Sequence, residues 1–188
     1  KDLAPTLDMP TQFGSHSMTG FQADHDAPLV SRLRQAGAIV IGKTTTSEFG
    51  WTGVSRNPVN GITHNPWKHG YNAGASSAAA GYGPLHQGSD GAGSIRMPAH
   101  FCGVFGLKPS YGRVPNFPQG GGDYTTHSGP LTRTVGDSAL MLEVMAGPHP
   151  LDHSGSEAGP ASYLARLGEG IRRKRVAFSP DLGHARVD

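Results

Sequence analysis

Little of this sequence is charged, and almost none of it is cysteine. Asp, Glu, Lys and Arg make up 16% of its 188 residues and the formal net charge is +2, which leaves no electrostatic footprint for direct binding of a nucleic acid or an anionic membrane. The one basic run, Arg172-Arg173-Lys174-Arg175, leads straight into Val176-Ala177-Phe178 and reads as the solvated approach to a strand. No apolar stretch nears the roughly 18 residues that a membrane span needs. The single cysteine, Cys102, excludes an internal disulfide framework and fits a reducing, cytoplasmic setting. Its Phe-Cys-Gly-Val-Phe surroundings predict a buried, inert thiol. Internal repeats and low-complexity tracts are absent. Histidine is plentiful, at ten residues, yet no pair has ligand spacing with further ligands nearby. His149 and His153 stand four apart with Pro150 between them, and no helix can hold them on one face. We expect no metal and no cofactor.

What the sequence does have is glycine (28), proline (15) and 36% apolar residues, enough for one core or for part of a larger one. Residues 24–37 carry Leu29, Val30, Leu33 and Ala36 at helical spacing, with Asp24 or Asp26 as cap and Gly37 as a left-handed stop. Residues 38–42 form a continuous apolar run bounded by glycine, the pattern of a strand buried on both faces. Thr45 and Glu48 make a capping-box pattern for a further short helix. Thr134 and Asp137 open a helix that Gly147 stops, and Val176-Ala177-Phe178 predicts a second buried strand. This order argues an α/β layered domain. The Gly- and Pro-rich stretch 112–130 has no periodicity, and such long loops in compact domains are functional or disordered. Residues 147–160 read as a plain surface connection.

Two small-residue runs hold the chemistry. In "GSDGAGSIR", residues 88–96, the backbone N–H groups of Gly91, Ala92 and Gly93 are free to converge on one point. Such a nest holds a phosphate or the oxyanion of acyl transfer. Ser94 ends it, and the apolar sequence beyond would anchor it to a core. A nucleophilic serine needs that combination of exposed hydroxyl and oxyanion donors; a flexible turn is the plain alternative. The pattern is neither a phosphate-binding P-loop nor G-x-S-x-G. A base is also needed. His86, His100 and His127 lie near in sequence, and a desolvated lysine would serve as well, with Lys1, Lys43, Lys68 and Lys108 as candidates. Spacing alone does not choose among them.

The blocks "KDLAPTLDMPTQFGS", "DAPLVSRLRQAGAIVIGKTTTSEF", "NPWKHGYNAGASS", "GSDGAGSIRMPAHFCGVFGLKPSYGRVP" and "GPLTRTVGDSALMLEVMAG" resemble, in order, the successive blocks of the amidase signature family. They cover nearly all of residues 1–147, and "RRKRVAFSPDLG" resembles the strand the family places next. The resemblance implies an α/β amidase-signature fold, a mixed central β-sheet covered by helices on both faces. It implies a Ser–cis-Ser–Lys triad: Ser94 as nucleophile, Ser76 as the relay serine beside a cis peptide bond, and Lys1 as base. Gly91, Ala92 and Gly93, with the N–H of Ser94, match the oxyanion hole. A cis bond outside proline costs roughly 3–4 kcal/mol and persists where structure enforces it; the small neighbours Gly74 and Ala75 make room for one. Lys43 reads as a structural, ion-paired lysine. Asp90 and Arg96 are expected to pair and brace the nest, with an anionic substrate as the other use of Arg96. Phe117, Tyr124 and Thr125 are candidate substrate contacts.

Where the family reads "GGSSGG", this chain reads "GASSAA". Ser76 and Ser94 are 18 positions apart, about six fewer than the family places there; six residues are about 1.7 helical turns, enough to rotate the following helix by roughly 240°. Residues 1–188 are therefore expected to be the central catalytic core, lacking N-terminal and C-terminal parts and residues between Ser77 and Gly81. The resemblance implies an amidase that cleaves a small-molecule carboxylic amide through an acyl-enzyme; a homodimer is compatible with it. An amidotransferase A-type subunit, which releases ammonia from glutamine for a mischarged tRNA held by partner subunits, would share every catalytic residue. A non-catalytic binding module is the third reading.

Overall fold

Thr134 starts the longest helix of the computed structural model, which describes residues 1–74, 82–118, 124–155 and 162–186. Its hydroxyl accepts the N–H of Asp137 at 3.0 Å and donates to the Asp137 carboxylate at 2.7 Å, so cap and first turn hold each other. This helix ends at Ala146, and Gly147 follows at φ +112°, as expected. In chain order the described elements are α1 (Pro28–Gln35), β1 (Arg56–Asn57), β2 (Gly61–Ile62), β3 (Leu85–Asp90), α2 (Arg96–Cys102), β4 (Phe105–Gly106), β5 (His127–Thr132) and α3 (Val135–Met145), with short 3₁₀ turns between. The strands make two antiparallel sheets, β1–β2 and β3–β5–β4. The described architecture is thus mixed α/β with small sheets.

Two apolar clusters hold these parts together. Leu29 and Val30 of α1 pack on Met141, Leu142 and Met145 of α3, with Val114 beside them. Arg32 then caps α3, donating to the carbonyl oxygens of Met145, Ala146, Gly147 and Pro148 at 2.6–3.0 Å, where the helix leaves its last acceptors unpaired. The second cluster is Ile95, Ala99 and Leu131, between α2 and the three-stranded sheet. It closes because the sheet offers glycine there. A Cβ on Gly88 would lie 2.9 Å from Leu131 and 3.0 Å from Ile95, and one on Gly106 would lie 2.6 Å from Ala99. The smooth sheet face brings α2, and the residues just before it, hard against β3.

Several expectations need correction. Residues 38–42 and Val176-Ala177-Phe178 are not strands. Ile39 and Ile41 are 86% and 81% exposed, Val176 and Phe178 73% and 88%. A strand exists only with a ladder partner, and among the described residues none lies beside either segment. Neither Asp24 nor Asp26 caps α1. Asp26 instead takes the N–H of Leu7 and pairs with Arg34, and Pro28 at the first helical position needs no acceptor for its nitrogen. Gly37 does stand at φ +87°. The Thr45–Glu48 pattern gives only a 3₁₀ turn at Glu48–Gly50, interrupted by Phe49 at φ 50°. Thr45 bonds Thr63, and Glu48 accepts from Ser15.

Candidate active site

β3 pairs with β5 along its whole length, from Leu85↔Thr132 to Asp90↔His127, and the chain leaves it through residues 91–95 into α2. Asp90 organises this turn from inside. It is fully buried. Its Oδ1 accepts from the Gly93 N–H at 2.7 Å and from Arg96 Nη2 at 2.9 Å; its Oδ2 accepts from the Ile95 and Arg96 N–H groups at 3.1 and 3.2 Å and from Arg96 Nε at 2.9 Å. Burial alone would push the carboxyl up. The Arg96 guanidinium and the three N–H donors outweigh it and hold Asp90 well below the usual carboxylate range. Asp90 and Arg96 thus form a bidentate pair that ties the end of β3 to the first turn of α2.

That pattern divides the N–H groups of the turn. Gly93, at φ +117°, points its N–H inward at Asp90. Among the described residues no acceptor takes the N–H of Gly91, Ala92 or Ser94. These three remain available for an oxyanion, and Gly93 serves the turn instead. Ser94 is mostly buried, and its neighbour Ile95 is the fully buried plug of the second core cluster, so side-chain packing fixes where the backbone of Ser94 sits.

Lys1 lies along the same strand. Its backbone nitrogen donates to Gln87 O at 3.3 Å, and its Nζ donates to Ser89 Oγ at 2.8 Å. Residues alternate faces along a strand, so Ser89 presents its hydroxyl to Lys1 while Asp90 turns to α2. Lys1 is only 9% exposed. Burial lowers its pKa from 10.5 to about 8, against the pull of the Asp90 charge. Gly50 closes this side, since a Cβ there would lie 3.6 Å from Lys1 Nζ. The other lysines are engaged elsewhere. Lys43 bridges Asp2 at 3.1 Å, Pro10 O at 3.0 Å and the Thr11 hydroxyl; Lys68 sits over the Tyr71 ring, 4.1 Å from its centroid; Lys108 bonds the neighbouring Pro109 O.

Ser76 lies outside the described residues. The chain leading to it is firmly held. Asn72 Oδ1 accepts from Gly74 N, Ser55 N and Ser55 Oγ at 2.8–3.0 Å, and its Nδ2 donates to Gly53 O at 2.7 Å. Buried Cys102, whose thiol pKa burial raises, meets Ala73 O at 3.4 Å. Gly74, at φ +96°, comes so close to α2 that a Cβ would stand 2.5 Å from Pro98 N. The run that leads to Ser76 therefore starts against the first turn of the helix that follows Ser94.

On the far side, a Cβ on Gly91 would lie 3.6 and 3.8 Å from the hydroxyls of Thr125 and Thr126. Tyr124 packs on Tyr111, and Tyr111 on His127. Phe117 has other neighbours, His25 and His149. Residue patterns had not singled out Ser89, Asn72, Thr126 or Tyr111. For Ser89 the signal was present in strand alternation, one step from Asp90; for the other three it is set by loop geometry. No group of three His, Cys, Asp or Glu side chains suited to a metal occurs among the described residues, and no helix there is long and apolar enough to cross a membrane.

The profile of the Amidase family matches residues 1–188. The chain is 46% identical over its whole length to an acylamidase of Rhodococcus erythropolis, spanning 41% of that protein. It is 40% identical, over 94% of its length, to 37% of the A-type subunit of glutamyl-tRNA(Gln) amidotransferase from Anaeromyxobacter dehalogenans. Among solved structures it resembles 6-aminohexanoate cyclic dimer hydrolase complexed with substrate, with TM-score 0.82 and 35% identity, over 87% of this chain and 37% of that one. The chain thus spans about 40% of the length of the relatives it matches.

Proposed function

Since the chain belongs to the amidase signature family of hydrolases, we propose that it carries the centre that cleaves a carboxylic amide to acid plus ammonia or amine. Ser94 Oγ attacks the carbonyl carbon. Its proton passes through the Ser76 hydroxyl to neutral Lys1, and the carbonyl oxygen becomes an oxyanion on the N–H groups of Gly91, Ala92 and Ser94. The C–N bond then breaks, and Lys1 returns the proton through Ser76 to the leaving nitrogen. Water attacks the acyl-enzyme by the same route and releases the acid. Oxyanion donors of this kind contribute about 3–4 kcal/mol each to such a transition state.

The observation that carries this reading is the buried Lys1 on the Ser89 face of the strand that runs into the turn. With its pKa at about 8, about one lysine in ten is neutral at pH 7, against about one in three thousand at the ordinary value. The fold reading extends likewise. A TM-score of 0.82 to a solved relative of which the chain covers 37% supports a larger mixed sheet covered by helices on both faces, of which the described residues hold two small antiparallel sheets.

A second reading is favoured by the 40% identity to an amidotransferase subunit: the same centre would release ammonia from glutamine for a partner. Incubation with a simple amide and with a serine-directed phosphonate separates the possibilities. Phosphonylation at Ser94 with ammonia released from the simple amide supports the hydrolase. Release that requires glutamine and partner subunits supports the second reading. Absence of labelling supports a non-catalytic module.

A further inference from the structure

His127 has no part in the hydrolytic steps, yet it touches the turn they use. It closes the β3–β5 ladder as the register partner of Asp90. Its Nδ1 lies 3.3 Å from Asp90 O and 2.5 Å from Thr125 O. Carbonyl oxygens only accept, so Nδ1 carries the proton and shares it between the two. Tyr111 meets the imidazole edge-on, with centroids 5.8 Å apart and planes at 80°. The ring is thus held by a neighbour as well as by its own loop.

The Asp90 carbonyl belongs to the peptide unit that carries the Gly91 N–H. Among the described residues the only cis bond is Phe117-Pro118, so this unit is trans and planar, and its C=O and N–H point in opposite directions. Whatever fixes Asp90 O therefore aims the Gly91 N–H. Successive carbonyls along a strand face opposite edges, so Gln87 O and Asp90 O, three residues apart, do so on β3. Gln87 O turns to the Lys1 nitrogen, and Asp90 O turns to His127 on β5. The Gly91 N–H accordingly leaves on the edge along which Lys1 lies. The Asp90 carboxylate fixes the rest of the turn through the N–H groups of Gly93, Ile95 and Arg96. It takes nothing from Gly91, where the ladder has ended and glycine leaves the backbone its widest freedom.

We propose that His127 is a positioning residue: by holding Asp90 O, its Nδ1–H aims the Gly91 N–H at the oxyanion. The proposal rests on the reading of residues 91–94 as an oxyanion turn ending in the nucleophile. An alkyl fluorophosphonate tests it, since Ser94 Oγ displaces fluoride from phosphorus while the P=O oxygen takes the place of the oxyanion. Deleting an oxyanion donor costs about 10²–10³ in rate, and a donor kept but loosely aimed costs less. In His127→Leu the maximal rate of Ser94 phosphonylation at pH 8 should fall about tenfold. The phosphonate concentration giving half that rate should stay within about twofold, because orientation and not binding is lost. His127→Ala should lose as much, so one folded loss variant suffices. His127→Asn should recover most of the rate, since Asn Nδ2 stands where the imidazole Nδ1 does. All three should keep the limb with its midpoint near 8 that belongs to Lys1. A wild-type rate in either loss variant would overturn the proposal. So would a His127→Asn as slow as the loss variants, in proteins shown to be folded by their melting curves. Loss of the limb in His127→Leu would also overturn it, by making the histidine a base. A wild-type protein that resists phosphonylation would overturn the reading of Ser94 itself, and the proposal with it.

Discussion

Replacing Asp90 by asparagine keeps the shape of the side chain and removes its charge. Asn has one acceptor oxygen and one NH₂ where Asp90 has two acceptors. Placing the NH₂ toward Ile95, Arg96 N and Arg96 Nε sets it against three donors; the flipped orientation sets it against two, Gly93 N and Arg96 Nη2. The flipped form is therefore preferred. The exposed Arg96 side chain can then turn part of its guanidinium to water, so that pair is discounted. The Gly93 N–H is buried and loses its acceptor, at about 1–3 kcal/mol, and the surviving bonds drop from charged to neutral strength. We expect a loss of about 3 kcal/mol in urea unfolding, the low end for breaking a buried pair. Asp90 is held below its ordinary 3.8 in the folded state, so its contribution is complete above pH 3.8 and fades as pH falls toward the folded value. The gap between variant and wild type should narrow over that range. A loss below about 1 kcal/mol, or a gap constant down to the acid transition, would refute this account of the turn.

Other substitutions test neighbouring parts. Gly74→Ala drives a methyl into the backbone of α2 at a positive φ, so the melting temperature should fall by about 4–8 °C for about 2 kcal/mol; an unchanged value would contradict the close approach of Gly74 to α2. Lys43→Met leaves the largely buried Asp2 carboxylate without its cation and should cost about 2–4 kcal/mol in urea, while Asp2→Asn combined with it should recover at least half. Strictly additive losses would show that the two do not act as a pair.

How much of this was legible in the sequence depends on what each residue's role rests on. The α3 helix was, because Thr134, Asp137 and Gly147 encode its ends locally. Its partner α1 was legible in extent but not in capping, since Asp26 is drawn off by Leu7 and Arg34, groups distant in sequence. Residues 38–42 have the composition of a buried strand, but a ladder needs a neighbour, and hydrophobic pattern cannot supply one. The small-residue turn before Ser94 could be read as a nest from composition. That Gly93 donates to Asp90 while its neighbours find no acceptor among the described residues could not, because the division is imposed by a carboxylate at the end of β3. Lys1 was one of four lysines by spacing; burial against Ser89 and Gly50 distinguishes it. The Thr125 and Thr126 hydroxyls reach Gly91 only through the pairing of β5 with β3.

The central claim is that buried Lys1 is the base that activates Ser94, and the pH dependence of Ser94 phosphonylation tests it most directly. The rate should rise with pH along a single limb with its midpoint near 8, where Lys1 loses its proton. In Lys1→Met the limb should vanish and the rate at pH 8 fall by about a hundredfold or more. A midpoint near 6.5, the range of a histidine, or a limb unchanged in Lys1→Met, would contradict the account.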